Sequence, residues 1–548
     1  MFRVLKAMAT RSPSDRRRLW TIAFLTFAIL GGTWSVATPL MASPDEPAHV
    51  VRAAAVVRGQ VNGVEVMEPQ MVGYIHSTWA NSGVELPSWY QQLKTADTCY
   101  RFKGKIPAKC AKKVHEDSDT VLVTTSAGRY NPVYYFAVGW PSLLVSGPHS
   151  VYLMRLVSAV LSALLLASAM VTAGEWRRSW LPKIGVLAAA TPMTLFLGGM
   201  VNPNGVEIAA GLLFWTAVLS LLIDPQPDLL KRRLARTGVA GVVLLEIRPL
   251  GLAWIVGTVF FGLLASQQGA VREIVKHRSA RLWAVVLAVA LAAAQAWNST
   301  HPDHSTIQTS ADLSFFKAAE HTFLESDKYL RQMIGWFGWL DAESPFLTVS
   351  VWSGTILLLI MLSLACGRRR DVIALLGLMA AILGIPIVAQ GLQASTLGLI
   401  WQGRYLLPFA VGLPLLAATI LSKRSPQGGL MRARLTLVIG SALAAAQLAA
   451  FFWALRRFTV GVEGHVIPMP AAWSPPGTWV LWTVVYALGS IGVVWLVAGQ
   501  SDYRPPTVGD ADGTGSASAV LSVTASPDAG VGRSLTVPSA VPAGAAEV

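Results

Sequence analysis

The residues of this chain best placed to do chemistry stand together in Ser43-Pro44-Asp45-Glu46-Pro47-Ala48-His49, continued by Val50-Val51-Arg52. Adjacent carboxylates, an imidazole and a guanidinium follow directly on a long apolar run. At a membrane surface such groups are costly unless they are solvated, paired or functional. The stretch also reads as a helix start, with Ser43 as N-cap, Pro44 in the first helical position and Glu46 completing a capping box. On that helix Asp45, His49 and Arg52 fall at i, i+4 and i+7. Acid, imidazole and cation therefore share one side, while Val50, Val51, Ala54 and Val57 cover the other. Capping accounts for the acids but not for His49 or Arg52. That makes the stretch the leading candidate for a functional site.

The elements that must hold these groups are set by composition. Of 548 residues 53% are hydrophobic and only 14% charged, which places the chain outside the soluble class. The fold expected is an all-α polytopic membrane protein. A formal net charge of +14 does not point to nucleic acid, because many lysines and arginines lie in short clusters between apolar runs, the pattern of loops retained inside. Residues 1–18 form a basic cytoplasmic arm, 19–498 a transmembrane domain and 499–548 a disordered cytoplasmic tail. About twelve spans are expected, with both termini inside the cytoplasmic membrane. Segment 237–265, interrupted at Arg248-Pro249, is read as two of them, a broken hairpin with Arg248 near its outer end.

Two long external loops follow, about 41–150 and 298–345. The first is far longer than an ordinary connection and is expected to be functional. It holds juxtamembrane helices near Tyr130-Asn131-Pro132 and a basic patch, Arg101, Lys103, Lys105, Lys109, Lys112 and Lys113, read as a solvated face. Cys99 and Cys110 share this loop and are expected to form a disulfide outside the cytoplasm. Cys366, at the end of an apolar run, is expected to pack. His301, Asp303 and His304 are read as solvated loop rather than as a metal site, and no zinc-ligand spacing occurs. Tyr130, Tyr134, Tyr135, Trp336 and Trp339 stand at a depth where tyrosine and tryptophan ordinarily form an interfacial belt.

The motif Ser43 to His49, Tyr130-Asn131-Pro132-Val133-Tyr134-Tyr135, Thr191-Pro192 through Asn202-Pro203-Asn204, the turn Gly335 to Asp341, and Gln402-Gly403-Arg404-Tyr405-Leu406-Leu407-Pro408 together resemble the DUF2142-type family of polytopic bacterial membrane proteins. That family is in turn similar to the C-type (GT-C) glycosyltransferases, which use polyprenyl-phosphate sugars outside the cytoplasmic membrane. The resemblance implies an inverting membrane glycosyltransferase with Asp45 or Glu46 as base. It also implies substrate contacts from His49, Arg52, Tyr130, Arg248, Asp341, Gln402, Arg404 and Tyr405. It departs from the family at Asn204, usually an acid, and at Arg248, often Lys. The partners implied are a lipid-linked sugar donor and a cell-envelope glycan, lipid or protein acceptor; no cofactor is certain, and a divalent metal is left open. A phosphate leaving group needs no general acid, and Arg248, Arg404 and Arg52 could neutralise its charge. The alternatives are a transporter or flippase of a lipid-linked precursor, to which Pro-interrupted helices would also be suited, and a glycan polymerase or ligase.

Overall fold

The computed structural model describes residues 16–498 except 73–74, 118, 303, 308–312 and 425–429. Most of the basic arm, the whole of the 499–548 tail, and Asp303 lie outside the described residues. Helix α1 (Arg16–Ala37) leads into α2 (Glu46–Val57), then strands β1 (Val64–Val72) and β2 (Ile75–Pro87), the short α3 (Trp89–Leu93) and β3 (Thr120–Thr125). Helices α4 (Pro132–Gly139) and α5 (Pro141–Leu144) return the chain to α6 (Pro148–Gly174). Then come α7 (Trp180–Ala189), α8 (Pro192–Gly198), α9 (Pro203–Ile223), α10 (Pro227–Ile247), α11 (Gly251–Leu264), α12 (Ala270–Lys276) and α13 (Arg278–Thr300). The second loop carries β4 (Thr306–Ile307), α14 (Phe315–Leu324), α15 (Ser326–Gly335) and the two-residue strands β5 (Trp336–Phe337) and β6 (Ala342–Glu343). Helices α16 (Phe346–Cys366), α17 (Arg369–Leu397), α18 (Gly403–Ala410), α19 (Gly412–Ser422), α20 (Leu430–Val460) and α21 (Trp479–Ala498) complete the bundle.

Among the described residues nine helices are long and apolar enough to cross a membrane, or ten when α7 and α8, bent by 63°, count as one broken span. The count falls short of twelve at segment 237–265. There α10 begins ten residues earlier than expected and takes Lys231, Arg232, Arg233 and Arg236 into the helix, while α11 is only 14 residues long. The hairpin itself is present, with Arg248 at its turn. The ends of α9, α11 and α19 meet at the far end of the bundle from that turn: Gln267 donates to the carbonyls of Leu222 and Ile223, and Lys423 to that of Ala265. The basic clusters gather there too, in Arg236–Glu175 at 2.7 Å and Lys423–Asp371 at 2.8 Å.

Proline and a polar cap explain where several helices start. Asn131, Thr191 and Asn202 each accept a hydrogen bond from a backbone N–H of the helix they precede, and each is followed by Pro in the first turn, where its missing N–H costs nothing. Helix α9 is buried along its whole length, as a helix apolar on every side must be; α1, α6, α10 and α18 pack around it or around each other.

The first loop departs from an all-helical reading. Strands β1, β2 and β3 form an antiparallel sheet, with Val64 opposite Gly83 and Val84 opposite Val123. The second loop adds β4 to β2, with Ser77 opposite Ile307. The period-two alternation that specifies a half-buried strand is present in Val64-Glu65-Val66 and Val84-Glu85-Leu86. The two long loops thus close into one cap over one end of the bundle. The expected disulfide joins Cys99 to Cys110. Cys366, in contrast to the packing expected of it, is exposed at the end of α16.

Candidate functional site

The start of α2 differs from the capping-box reading. The N-cap is Asp45, not Ser43; its backbone is left-handed (φ 62°) and its carboxylate makes no capping bond. Ser43 Oγ is buried without a partner. Aspartate tolerates this conformation better than most residues, and its effect here is to free the carboxylate from the helix. It is 49% exposed and pairs with Arg404 Nη2 at 2.5 Å. What burial it has raises its pKa, but the charges of Arg404, His49 and Arg248 outweigh this and hold the carboxyl below its ordinary value.

Arg404 is itself over-determined. Gln402 at the N-cap of α18 accepts from its Nε at 2.7 Å, and Tyr405 Oη accepts from Nη2 at 3.3 Å. Gly403 allows α18 to press against α15: a Cβ there would lie 2.2 Å from the Tyr329 carbonyl oxygen. Gln332 of α15 accepts from the Gly403 N–H at 2.8 Å. The guanidinium is 1% exposed, yet its Nη1 has no partner. Arg248, in the break between α10 and α11, lies over the rings of Tyr130 and Tyr405, 5.4 Å from each centroid, and donates to Tyr130 Oη at 3.4 Å. Glu207 stands behind it, its carboxylate held by Trp254 Nε1 at 3.1 Å and Asn204 Nδ2 at 3.2 Å. A cleft of about 240 Å³ opens beside Arg248 and Tyr130, with Asn131, Glu246, Asn298 and His301 on its walls.

His49 and Arg52 do lie on the face predicted for them. His49 Nδ1 is 2.9 Å from Tyr135 Oη. Burial, with help from Arg248 and Arg404 and against the pull of Asp45, pushes the imidazole down to about 3, so it is neutral at physiological pH. Arg52 donates to the carbonyls of Val61 at 2.6 Å and Tyr130 at 2.9 Å, so it positions the loop that carries Tyr130 rather than facing a substrate.

Two predicted residues fall elsewhere. Glu46 does not share the space of Asp45: it is fully buried in a two-pronged pair with Arg155, at 2.7 and 2.6 Å, and also accepts from the Val201 N–H at 3.2 Å. That carboxylate has no room to approach a reacting hydroxyl, which removes it as a base. Asp341 is paired with Arg457 at 2.6 Å, with side chains 6% and 1% exposed. Its role is to anchor the cap. The sequence reading missed Arg155 and Arg457, although an arginine within an apolar span is itself a signal, because it must find partners there. It also missed Gln332, for which no sequence signal exists.

A divalent cation suits this donor set poorly: Asp45 is its one half-exposed carboxylate, set against two guanidiniums. Among the described residues no three His, Cys, Asp or Glu side chains are grouped so as to hold a metal ion. His301 bonds to Asn62 at 3.0 Å and stacks on Trp297, while His304 pairs with Glu65 at 2.9 Å.

Fold and site together define a polytopic helical membrane protein whose two long loops cap a cluster of one carboxylate, two guanidiniums and several tyrosines. The family model described as "Predicted membrane protein (DUF2142)" matches residues 27–413, and the chain belongs to that family. Among solved structures it is similar to ArnT from Cupriavidus metallidurans bound to undecaprenyl phosphate, at 15% identity and a TM-score of 0.39, covering 88% of this chain and 77% of that one. The apo state of ArnT gives 14% identity and a TM-score of 0.40, covering 88% and 76%. No curated protein matches the chain.

Proposed function

We propose that the protein is a membrane glycosyltransferase that moves a sugar from a polyprenyl-phosphate carrier to a cell-envelope acceptor on the outer side of the cytoplasmic membrane. The observation that carries this reading is the convergence of Asp45, Arg404 and Arg248 under the cap, with an unpartnered Nη1 on a buried Arg404. The likeness of the DUF2142 family to the C-type glycosyltransferases supports it.

The reaction follows from the groups. An acceptor hydroxyl attacks the anomeric carbon, the new carbon–oxygen bond forms as the bond to the carrier phosphate breaks, and the carrier leaves with its electron pair as polyprenyl phosphate. Asp45 takes the hydroxyl proton. Arg404 and Arg248 meet the charge that builds on the leaving phosphate, and Tyr130 and Tyr405 hold the two guanidiniums apart and oriented. Paired with Asp45, Arg404 damps its basicity. A phosphate that takes over Arg404 relieves that damping, so the base strengthens when donor is in place.

The test is transfer of radiolabel from a panel of polyprenyl-phosphate sugars to envelope acceptor by purified wild type and Asp45→Asn. A loss of about 10²- to 10⁴-fold is expected in the variant, with donor binding and thermal stability retained. Undiminished transfer by Asp45→Asn would remove the proposed base. Carrier binding without transfer by wild type, joined to movement of lipid-linked sugar across liposomes, would replace the enzyme by a flippase.

A further inference from the structure

The basic patch of the first loop is built on a braced segment. The segment 99–110 is closed by the Cys99–Cys110 disulfide and seated on α20 by Arg457. That guanidinium donates to the carbonyls of Ile106 at 2.8 Å, Tyr100 at 2.9 Å and Lys103 at 3.1 Å. The chain just beyond α20 completes the seat: Val462 N–H donates to the Gly104 carbonyl at 3.0 Å, and Lys105 pairs with Glu463 at 2.6 Å. This braced knob presents Phe102, 68% exposed, and Ile106, with Val462 held against Gly104; Val466, Ile467 and Met469, farther along the same connection, are exposed as well. Phe102 keeps a left-handed backbone (φ 61°), a conformation unfavourable for a bulky residue. The same segment carries Lys103, Lys109, Lys112 and Lys113, exposed and without an ion pair among the described residues.

Large apolar side chains gathered on a surface mark an interaction site, and apolar side chains with lysines on the same segment suit the boundary between acidic headgroups and acyl chains. Covalent continuity decides which partner is in reach. Residues 461–478 join the end of α20 to the start of α21, both of them spans, so Val462 to Met469 lie where a chain leaves one span and enters the next. We propose that this knob, residues 99–113 with 461–469, docks on acidic phospholipid headgroups of the protein's own membrane, its lysines on phosphate and Phe102 and its neighbours in the acyl boundary. The proposal is independent of the transferase reading.

The test is a count of retained lipid. Full-length protein is purified in detergent supplemented with equal phosphatidylglycerol and phosphatidylcholine, and native mass spectrometry counts lipids per protein. Wild type should retain phosphatidylglycerol in preference. A variant with Lys103, Lys109, Lys112 and Lys113 all changed to Gln should lose phosphatidylglycerol on the order of tenfold or more with phosphatidylcholine unchanged. The matched variant Lys231→Gln, Arg232→Gln, Arg369→Gln, Arg370→Gln at the far end should keep the wild-type preference. A second variant, Phe102→Ser with Ile106→Ser, should reduce retention of both lipids while the disulfide stays closed. An unchanged phosphatidylglycerol count in the lysine variant overturns the proposal in favour of a protein partner or of no partner. Displacement of the lipid by millimolar inorganic phosphate overturns it in favour of a simple anion site.

Discussion

Asp45 and Glu46 are neighbours in the chain with opposite fates, and the regions they enter explain why. Glu46 meets Arg155 where every donor of the guanidinium is used: two bonds to the carboxylate, and the rest to the carbonyls of Ser35, Thr38 and Pro39. That knot ties the end of α1 to α2 and α6, and nothing in it remains to bind a ligand. Asp45 meets an arginine with one nitrogen unpartnered, and its own carboxylate is half exposed. Buried polar groups in folded proteins are nearly always satisfied. Arg404 joins an unpartnered nitrogen to a half-exposed carboxylate partner, whereas Arg457, whose Nε is also unpartnered, has a buried partner in Asp341; that combination separates the site from the scaffold.

The largest test of that contrast is Glu46→Gln, which leaves Arg155 buried with an incomplete partner. A loss of about 3–5 kcal/mol is expected, as for breaking a buried pair, read as a collapse of monodisperse protein and of its thermal midpoint in detergent. Asp45→Asn in the same assay should stay near wild type. Equal destabilisation by the two would erase the distinction. Next, Arg404→Lys keeps a cation but loses the fork that Gln402, Tyr405 and Asp45 orient. Donor affinity by calorimetry should fall about ten- to a hundredfold, the worth of charge-assisted bonds at about 1.5–3 kcal/mol, while Arg155→Lys should cost folding instead.

The effect smallest per step of its measurement, a slope against pH, concerns His49, between the two regions. Its pKa is about 3 when folded against 6.5 unfolded, so between those values the unfolded chain binds one more proton. The sign follows: the stability His49 contributes is fully present above pH 6.5 and is lost as pH falls toward 3, with a slope of up to about 1.4 kcal/mol per pH unit. Unfolding measured across that window should be steeper for wild type than for His49→Gln; a slope unchanged by the substitution would show that His49 is protonated in the folded protein.

Much of the scaffold was legible in the chain. The apolar runs, the polar residue before each helix-opening proline, and the break at Arg248-Pro249 are local signals that act within a few residues, and most span ends followed them, the start of α10 and the end of α17 excepted. The sheet in the cap was missed, because its alternation is clear only in pieces of β1 and β2, and β3 and β4 pair with β2 from farther along the chain. Helical spacing placed His49 and Arg52 on one side of α2, where both reach Tyr135, but not Asp45, which precedes the helix with a left-handed backbone. The cap was misread, since Ser43 with Glu46 satisfies the local pattern of a capping box, and Arg155, more than a hundred residues away, competes for the same carboxylate.

What the sequence determined by itself is the class of molecule and the inventory of its chemistry: a membrane bundle with two long loops, a disulfide, and the acid, imidazole and arginines that a phosphate-linked reaction needs. Only the tertiary structure decided which acid is available and which arginine is spare. The physical reason is that a side chain's freedom depends on how completely its hydrogen bonds are taken up. Those bonds come from helices far apart in the chain, which a one-dimensional pattern does not bring together.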